Sequence, residues 1–397
     1  MGKRRLTWWV MGLILCLQAQ ALTLAEDSLQ ASLLTCAPGQ EVYALYGHTA
    51  LRVRSLRVPE RDWVFNYGVF SFGQPHFIWR FTRGECDYEI GVVDFPHFIS
   101  EYRTRQSAVY EQVLNLNPQE VMALYTFLVI NLRPENRTYR YNFFYDNCTT
   151  RARDCIEAAI QGEVVYPAND TIRSFRSITH LYNDYHPWAQ LGNDMCLGAE
   201  ADRPISQRQE MFAPYFLMQY AEQAVIRTPH GTERPLIAAS HLLTPGRSFA
   251  PTGTDSTPSP TLCAWLLVAA VAVLTLLERL RKTCYWWIDV VLMTLTGVMG
   301  VVVSLLFFCS AHPTVGSNWQ IIVLNPIALL AMPRVVYCAL RHQRTLYHVA
   351  NATVLMFFMI FSPLIPQDFC AVVVPLALVL WLRSCSYLFS YRQEKTT

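Results

Sequence analysis

The sequence predicts an α+β domain exported across a membrane, followed by an all-α bundle of about five transmembrane helices. Three observations predict this organisation: an apolar leader, a long stretch of mixed aqueous composition, and apolar runs that fill the last third of the 397 residues. The composition agrees, because 52% of the residues are hydrophobic and only 16% are charged, whereas soluble chains carry about 25% charged residues. The composition therefore disfavours both a disordered chain and a purely soluble protein.

The charge and the motif content disfavour several function classes. A net charge of +2 is too balanced for a nucleic-acid binder, which shows a concentrated basic face. The chain contains no Gly-rich phosphate loop of the dinucleotide or Walker type and no paired C-x-x-C zinc spacing, so the classes defined by those motifs lose support. We therefore expect no nucleic-acid partner, no cofactor and no metal ion.

The leader has the features of a secretory signal peptide over residues 1–25. Three basic residues at positions 3–5 precede an apolar run over Trp8–Leu17, and small residues follow up to Ala25. Such a run is too short to cross a bilayer well as an anchor. The sequence that follows is therefore expected outside the cytoplasm.

The composition changes at a polar, proline-bearing linker over residues 251–261. Residues 26–250 before it are expected to form the exported domain. Residues 262–390 after it are expected to form the transmembrane domain, with a tail at 391–397. The apolar runs that predict spanning helices are Leu262–Leu277, Tyr285–Phe308, Trp319–Leu340, Val349–Leu364 and Cys370–Phe389.

Basic residues in the loops predict the orientation of these helices. Lys and Arg follow the first, third and fifth runs, whereas the loops after the second and fourth runs contain neither. Because basic loops stay in the cytoplasm, the exported domain lies on the opposite side and the C-terminus is cytoplasmic. Arg334 lies within the third run and Arg383 within the fifth, both towards the predicted inner ends, and we expect each side chain to snorkel to the inner membrane face.

Two strands near the start of the exported domain carry the first polar candidates. Tyr46–Val53 and Trp63–Phe70 both alternate in the period-two pattern of half-buried strands. A short loop separates them, so we expect them to pair antiparallel. That pairing brings Asn66 or Tyr67 close to His48.

A cysteine opens a predicted helix about a hundred residues later. Asp146 or Asn147 is the expected N-cap, which places Cys148 in the first helical turn. The N–H groups of a helix N-terminus lower a thiol pKa and stabilise an oxyanion. His48 would take the thiol proton and Asn66 would orient the imidazole ring.

The other exported cysteines leave a second interpretation open. Five of the 12 cysteines lie in the exported domain, and an odd count leaves at least one thiol unpaired. They are either incidental reduced residues or include a working nucleophile. Cys155 lies on an apolar stripe of the same helix, where a core or disulfide role is expected. The five are Cys36, Cys86, Cys148, Cys155 and Cys196.

These motifs resemble a circularly permuted papain-like fold, as in NlpC/P60 and lecithin:retinol-acyltransferase-like enzymes. More closely, the segments Tyr46-Gly-His-Thr-Ala-Leu-Arg, Val64-Phe-Asn-Tyr-Gly-Val-Phe and Tyr141-Asn-Phe-Phe-Tyr-Asp-Asn-Cys-Thr-Thr-Arg resemble the Lnb N-terminal periplasmic domain family. Ser310–Trp319 and Leu324–Ile327 resemble that family's membrane segment. The resemblance implies a bacterial inner-membrane protein with a periplasmic domain.

The resemblance also implies an activity. Lnb proteins are lipoprotein N-acyltransferases, which move an acyl chain from a membrane phospholipid to the α-amino group of a diacylglyceryl-cysteine lipoprotein. Cys148 then becomes the nucleophile and His48 its base. Two other functions stay open: a membrane-anchored Cys hydrolase acting on phospholipid or peptidoglycan peptide, and a non-catalytic scaffold in which Cys148 forms a disulfide.

Six further side chains are candidates for substrate binding, each with a structural alternative. Arg151 and Arg153 suit a phospholipid phosphate but also suit ion pairs with Asp154 or Glu157. Tyr67 suits an oxyanion or a core position. In the membrane part, His312, Asn318 and Asn325 suit headgroup recognition or a lateral lipid portal beneath Cys148. For Asn325 a hydrogen bond between helices is the structural alternative. Residues 172–245 are expected to form a cap that rests on the membrane.

Overall fold

The computed structural model describes residues 28–39, 41, 44–70, 75–249 and 257–393. The predicted signal peptide lies outside these residues. The described chain forms two compact units. Of the described residues, the sheet unit takes in those of 28–70, 86–171 and 206–249, and the helical unit takes in 75–85, 172–205 and 257–393.

The sheet unit is built on a seven-stranded antiparallel sheet in the order β10-β5-β1-β2-β3-β4-β6. Three short strands, β7, β8 and β9, form a second sheet. The strands are β1 (Leu29–Cys36), β2 (His48–Ser55), β3 (Asp62–Val69), β4 (Asp87–Asp94), β5 (Val109–Leu114), β6 (Thr138–Arg140), β7 (Glu163–Val165), β8 (Val225–Arg227), β9 (Glu233–Pro235) and β10 (Ile237–Thr244).

Helices cover this sheet and carry the catalytic cysteine candidate. The α+β prediction for this domain is confirmed. In chain order the helices before the membrane part are α1 (Phe77–Thr82, in the helical unit), α2 (Phe95–Thr104), α3 (Pro118–Asn131), α4 (Cys148–Ala159), α5 (Phe175–Asn183), α6 (Pro187–Cys196), α7 (Gln207–Glu210) and α8 (Pro214–Gln223). Helices α1, α5 and α6 belong to the helical unit, and α2, α3, α4, α7 and α8 belong to the sheet unit.

The core between β2, β3 and α2 explains why the strand pattern folds as it does. Ala50 and Val64 are buried on neighbouring strands and pack with Phe98 of α2. Burial of large apolar side chains contributes about 1.5–3 kcal/mol each. A slip of one residue would turn these side chains to the other face of the sheet. The register Leu51–Phe65 is therefore set by the core.

Within the described residues, four helical segments are long and apolar enough to span a bilayer, and one apolar helix, Val373–Phe389, is shorter. The four segments are Pro260–Arg281, Trp286–Cys309, Trp319–Leu340 and Leu346–Leu364. This agrees with the predicted bundle of about five. The helices are α9 (Pro260–Arg281), α10 (Trp286–Cys309), α11 (Ile327–Leu340), α12 (Leu346–Phe361) and α13 (Val373–Gln393). A 3₁₀ turn at Trp319–Ile322 precedes α11, and another at Ser362–Leu364 follows α12.

Arg383 does not snorkel to the membrane face, so that prediction is wrong for this residue. Its side chain is only 2% exposed, and it pairs with Asp289 at 2.7 Å and with Glu278 at 2.5 Å. The three residues lie on α13, α10 and α9. A buried guanidinium needs hydrogen-bonding anions in place of water, and two carboxylates supply them here.

The cap predicted over residues 172–245 divides between the two units. Residues 206–245 join the sheet unit, where β10 pairs with β5. Residues 172–205 join the helical unit through buried polar bonds. Asn318 Nδ2 donates to the Met195 carbonyl at 2.9 Å, and Gln320 Nε2 donates to the Asp194 carbonyl at 2.6 Å.

A buried arginine organises this second part of the cap. Arg176 of α5 is almost fully buried and pairs with Asp194 at 2.9 Å and with Asp202 at 2.6 Å. It also donates to the Leu197 carbonyl. One guanidinium thus joins α5, α6 and the turn that follows α6.

Candidate functional site

His48 and Asn66 meet because β2 and β3 pair antiparallel, as the sequence predicts. His48 Nε2 lies 3.0 Å from Asn66 Oδ1. Asn66 Nδ2 donates to the Val64 carbonyl at 3.3 Å, so the amide oxygen is the atom that faces the ring. Nε2 must then carry the hydrogen, and the neutral imidazole keeps its lone pair on Nδ1. Nδ1 is therefore the nitrogen available as a base.

Cys148 is the first residue of α4, and Asn147 is its N-cap. The Asn147 Oδ1 accepts from the Thr149 and Thr150 amides at 2.8 and 2.9 Å. Its Nδ2 donates to the carbonyls of Phe143 and Phe212 at 2.8 and 2.9 Å. Every polar atom of this side chain is thus used. The cap fixes where the helix begins and hence where the thiol points.

The thiol and the imidazole shift each other's pKa. Burial raises the pKa of the Cys148 thiol, but the hydrogen bonds around it and the charge of His48, which contributes most among them, together bring the pKa below its ordinary value. The Thr49 backbone N–H and the Thr149 hydroxyl contribute in the same direction. Burial lowers the pKa of His48, but the Cys148 thiolate and Asn66 raise it overall. The pair is electrostatically suited to the thiolate–imidazolium form.

In three other cysteines of the exported part, the thiol pKa is shifted in the opposite direction. Burial raises the pKa of Cys36, Cys155 and Cys196. The Cys155 Sγ lies within hydrogen-bond distance of the Tyr67 hydroxyl, at 3.3 Å. Among the described cysteines none forms a disulfide. Cys148 therefore has the lowered pKa that a nucleophilic thiol requires, and Cys155 does not.

The unpaired hydroxyl of Tyr139 borders a small space beside Cys148. Gly68 adopts φ +91°, and a Cβ built there would lie 3.8 Å from Cys148 Cβ and 4.0 Å from the Tyr139 hydroxyl. Tyr139 is buried, and its hydroxyl has no hydrogen-bond partner within the described residues. A buried hydroxyl without a partner is costly, so this group is ready to bond to a carbonyl that enters the gap.

The remaining sequence candidates of the sheet unit contact protein groups. The Tyr67 hydroxyl receives a hydrogen bond from Asn131 at 2.6 Å and bonds to Cys155 rather than to Cys148. Arg151 pairs with Asp146 through two bonds of 2.6 and 2.7 Å and lies over the Tyr139 ring. Arg153 is buried and bonds to Asp154 and to the Arg208 carbonyl.

The three candidates of the helical unit are also bonded to the chain itself. His312 Nε2 lies 3.1 Å from the Phe81 carbonyl. Asn318 is fully buried, and its Oδ1 accepts from the Gln320 amide. Asn325 Oδ1 accepts from the amide of Ile327, the first residue of α11, at 2.9 Å.

The sequence interpretation missed three groups at the site. Thr49 and Thr149 are the neighbours of His48 and Cys148, and their hydroxyls lie 3.0 Å apart across the interface of β2 and α4. Their position beside the two reactive residues was a usable signal. Tyr139 carried no such signal, because several tyrosines share its aromatic run.

The described residues contain no group of three or more His, Cys, Asp and Glu side chains arranged to hold a metal ion.

Fold and site together define a protein in which an α+β domain carries a thiol–imidazole pair and a helical part contains segments long and apolar enough to cross a membrane. Comparison with known families agrees. A family model described as the Lnb N-terminal periplasmic domain matches residues 18–178, and one described as the Lnb transmembrane domain matches residues 252–394. The chain belongs to the Lnb family. No curated protein and no solved structure matches it.

Proposed function

We propose that this protein is a lipoprotein N-acyltransferase that works through a Cys148 thioester. The observation that carries the proposal is the coupled Cys148–His48–Asn66 arrangement, in which the thiol pKa is lowered and the imidazole pKa is raised. Membership of the Lnb family and the attached apolar helices support a membrane lipid as acyl donor.

The first half-reaction cleaves a phospholipid ester. The Cys148 thiolate attacks the ester carbonyl, and the tetrahedral oxyanion collapses with loss of the glycerol oxygen. His48, protonated on Nδ1, gives its proton to that leaving oxygen. The products are a lysophospholipid and the acyl thioester of Cys148.

The second half-reaction forms an amide. The neutral α-amine of a diacylated lipoprotein attacks the thioester, and the neutral His48 accepts the proton that the nitrogen must lose. The Cys148 thiolate leaves, so the free enzyme is restored. The sequence is ping-pong, because the lysophospholipid leaves before the amine reacts.

The oxyanion needs two donors, and the chain offers them beside the thiol. The Thr149 and Thr150 amides are used by the Asn147 cap, which leaves the Cys148 amide at the first position of α4. We assign the Tyr139 hydroxyl as the second donor, since it is buried, unpaired and next to the same gap. Preorganised donors of this kind stabilise developing charge.

The proposed topology keeps the C-terminus in the cytoplasm. Periplasmic residues 75–85 contact the loop after α10, since the Ala311 amide donates to the Arg83 carbonyl at 2.8 Å. That contact supports a periplasmic position for this loop. Alternation of the helices that follow then returns the chain to the cytoplasm.

The test is intact mass analysis of the full-length protein in detergent after incubation with a phospholipid of defined acyl chains. We expect a mass gain of one acyl group that neutral hydroxylamine removes and that Cys148→Ala abolishes. Cys155→Ala is the matched control and should retain the adduct. Addition of a diacylated lipopeptide should then discharge the acyl group onto its α-amine.

Other outcomes separate the alternatives. Release of free fatty acid, with an unmodified lipopeptide, would assign a hydrolase. Lipopeptide acylation that survives Cys148→Ala would overturn the thioester mechanism. Cys148 found oxidised with Cys155 or Cys196 in the purified protein would favour a scaffold.

A further inference from the structure

The short helix α1 exposes almost its whole apolar surface. It lies in the sequence between β3 and β4 but belongs to the helical unit. Ile78 is 81% exposed, Trp79 48% and Phe81 49%, and no residue of the helix is buried. An isolated six-residue helix is unstable in water, and exposed apolar clusters mark interaction surfaces. This helix therefore needs an apolar partner.

The helix is held at the end of a spanning helix. The Ala311 amide donates to the Arg83 carbonyl at 2.8 Å, and His312 Nε2 donates to the Phe81 carbonyl at 3.1 Å. Gly84, with φ +71°, lets the two backbones approach, since a Cβ there would lie 3.1 Å from the His312 nitrogen. These contacts fix residues 75–85 to the loop that directly follows α10.

The length of α10 sets the depth of that loop. Its 24 residues rise about 36 Å, slightly more than the roughly 30 Å of a bilayer's hydrocarbon core. The end of α10 therefore reaches the membrane surface. Phe308, two residues before Ser310 at the end of α10, is 73% exposed and adds a further apolar side chain at this end of the helix.

The composition of α1 matches the interfacial region of a bilayer. Trp and Phe are enriched at that depth, where a ring meets both acyl chains and water. Arg80 bonds to the Glu85 carbonyl and Arg83 pairs with Glu85 at 2.7 Å, so both guanidinium groups are held back beside the loop. The apolar side chains are left as the projecting part of the segment.

We infer that residues 75–85 form a wedge that inserts Ile78, Trp79 and Phe81 into the periplasmic leaflet of the membrane. The partner is the phospholipid bilayer itself. This contact is additional to the spanning helices and does not depend on the proposed acyl transfer.

Site-specific photocrosslinking tests the inference. The full chain carries a benzophenone amino acid in place of Ile78 and is reconstituted in liposomes of phosphatidylethanolamine and phosphatidylglycerol. Leu56 is the matched control position, because it is 55% exposed and lies beside the opposite end of β3. We expect irradiation to add the mass of a phospholipid at position 78 and not at position 56.

A second position keeps the result independent of one substitution. The same amino acid in place of Phe81 should also capture lipid. Absence of lipid adducts at both 78 and 81, or lipid capture at position 56 to the same extent, would overturn the inference. Crosslinks from position 78 to a second copy of the chain would replace the bilayer by a protein interface.

Discussion

Opposite pKa shifts in Cys148 and His48 define the range of pH in which the site can work. The thiolate forms once the pH rises through the lowered Cys148 pKa, and the imidazolium is lost once the pH rises through the raised His48 pKa. The fraction of molecules that carry both charges is largest at pH values between the two pKa values. Outside the range one partner lacks its charge, so the rate of the acylation step should follow a bell-shaped profile.

Removal of His48 should expose the effect of burial on the thiol. In His48→Ala the desolvation that raises the Cys148 pKa is no longer opposed by the imidazole. The pH profile of iodoacetamide alkylation at Cys148, followed by peptide mass analysis, should shift to higher pH than in the parent protein. Cys155 alkylation in the same samples is the internal control. An unchanged Cys148 profile would contradict the coupling.

The two tyrosines beside the site should respond differently to loss of the hydroxyl. Tyr139→Phe removes an unpaired group, so we expect an unchanged melting temperature and a kcat about 100-fold lower, the effect of one lost oxyanion donor. Tyr67→Phe removes the bonds to Asn131 and Cys155, so it should lower the melting temperature and retain most of the rate. Lipopeptide acylation and thermal unfolding measure the two effects. A full rate in Tyr139→Phe would remove it from the mechanism.

At the scale of single elements, the start of α4 depends on one side chain. Asn147 caps the helix and also ties it to Phe143 and Phe212. Asn117 caps α3 with the same capping-box geometry, and its Oδ1 accepts from the Gln119 and Glu120 amides of its own helix. Comparing substitutions at Asn117 and Asn147 therefore separates the stability contributed by an N-cap from the stability contributed by the bonds to Phe143 and Phe212.

We expect Asn117→Ala to destabilise the protein by about 1 kcal/mol, the usual value of an N-cap. Asn147→Ala should cost about 2–4 kcal/mol, because two buried carbonyls also lose their donor. It should slow acylation as well, since the Cys148 position is no longer fixed. Thermal unfolding in detergent and the acylation rate test this order. Equal effects of the two substitutions would contradict it.

The buried charges of α9, α10 and α13 give a second prediction for elements. Arg383→Leu leaves Asp289 and Glu278 without their cation, and we expect a loss of about 3–5 kcal/mol. Arg334→Leu is the control, because Arg334 is exposed and should matter little. Combining Arg383→Leu with Asp289→Asn and Glu278→Gln should recover much of the melting temperature. No recovery would mean that the ion pairs are not the cause.

The elements that local pattern controls were predictable, and the long-range partners were not. Strand alternation predicted the β2–β3 pair, and the Asn-Cys boundary predicted the start of α4, because both depend on neighbouring residues. The partners of Arg383 lie 94 and 105 positions away. The local pattern shows only a single charge in an apolar run, which predicts a position at the membrane face. The unpaired hydroxyl of Tyr139 depends on what surrounds it in three dimensions, which no local pattern encodes.

At the scale of the whole molecule, the bonds of Arg176 hold the helices and turns of segment 172–205 together. Arg176→Met should leave Asp194 and Asp202 unpaired and loosen this segment from the helical unit. Chymotrypsin should then cut near Tyr182, Tyr185 or Trp188 faster than in the parent protein. Arg203→Met is the control, since Arg203 is exposed. An unchanged cleavage rate in a folded Arg176→Met protein would contradict this role.

The position of Cys148 far behind His48 in the chain has a consequence for biogenesis. A translocating polypeptide emerges N-terminal end first, so the imidazole reaches the periplasm about a hundred residues before the thiol. Until β2 and α4 meet, Cys148 keeps the ordinary thiol pKa of about 8.5 and is mostly protonated at neutral pH. Protonated thiols react slowly with the disulfides of other molecules. The nucleophile therefore becomes reactive only when the domain has closed around it.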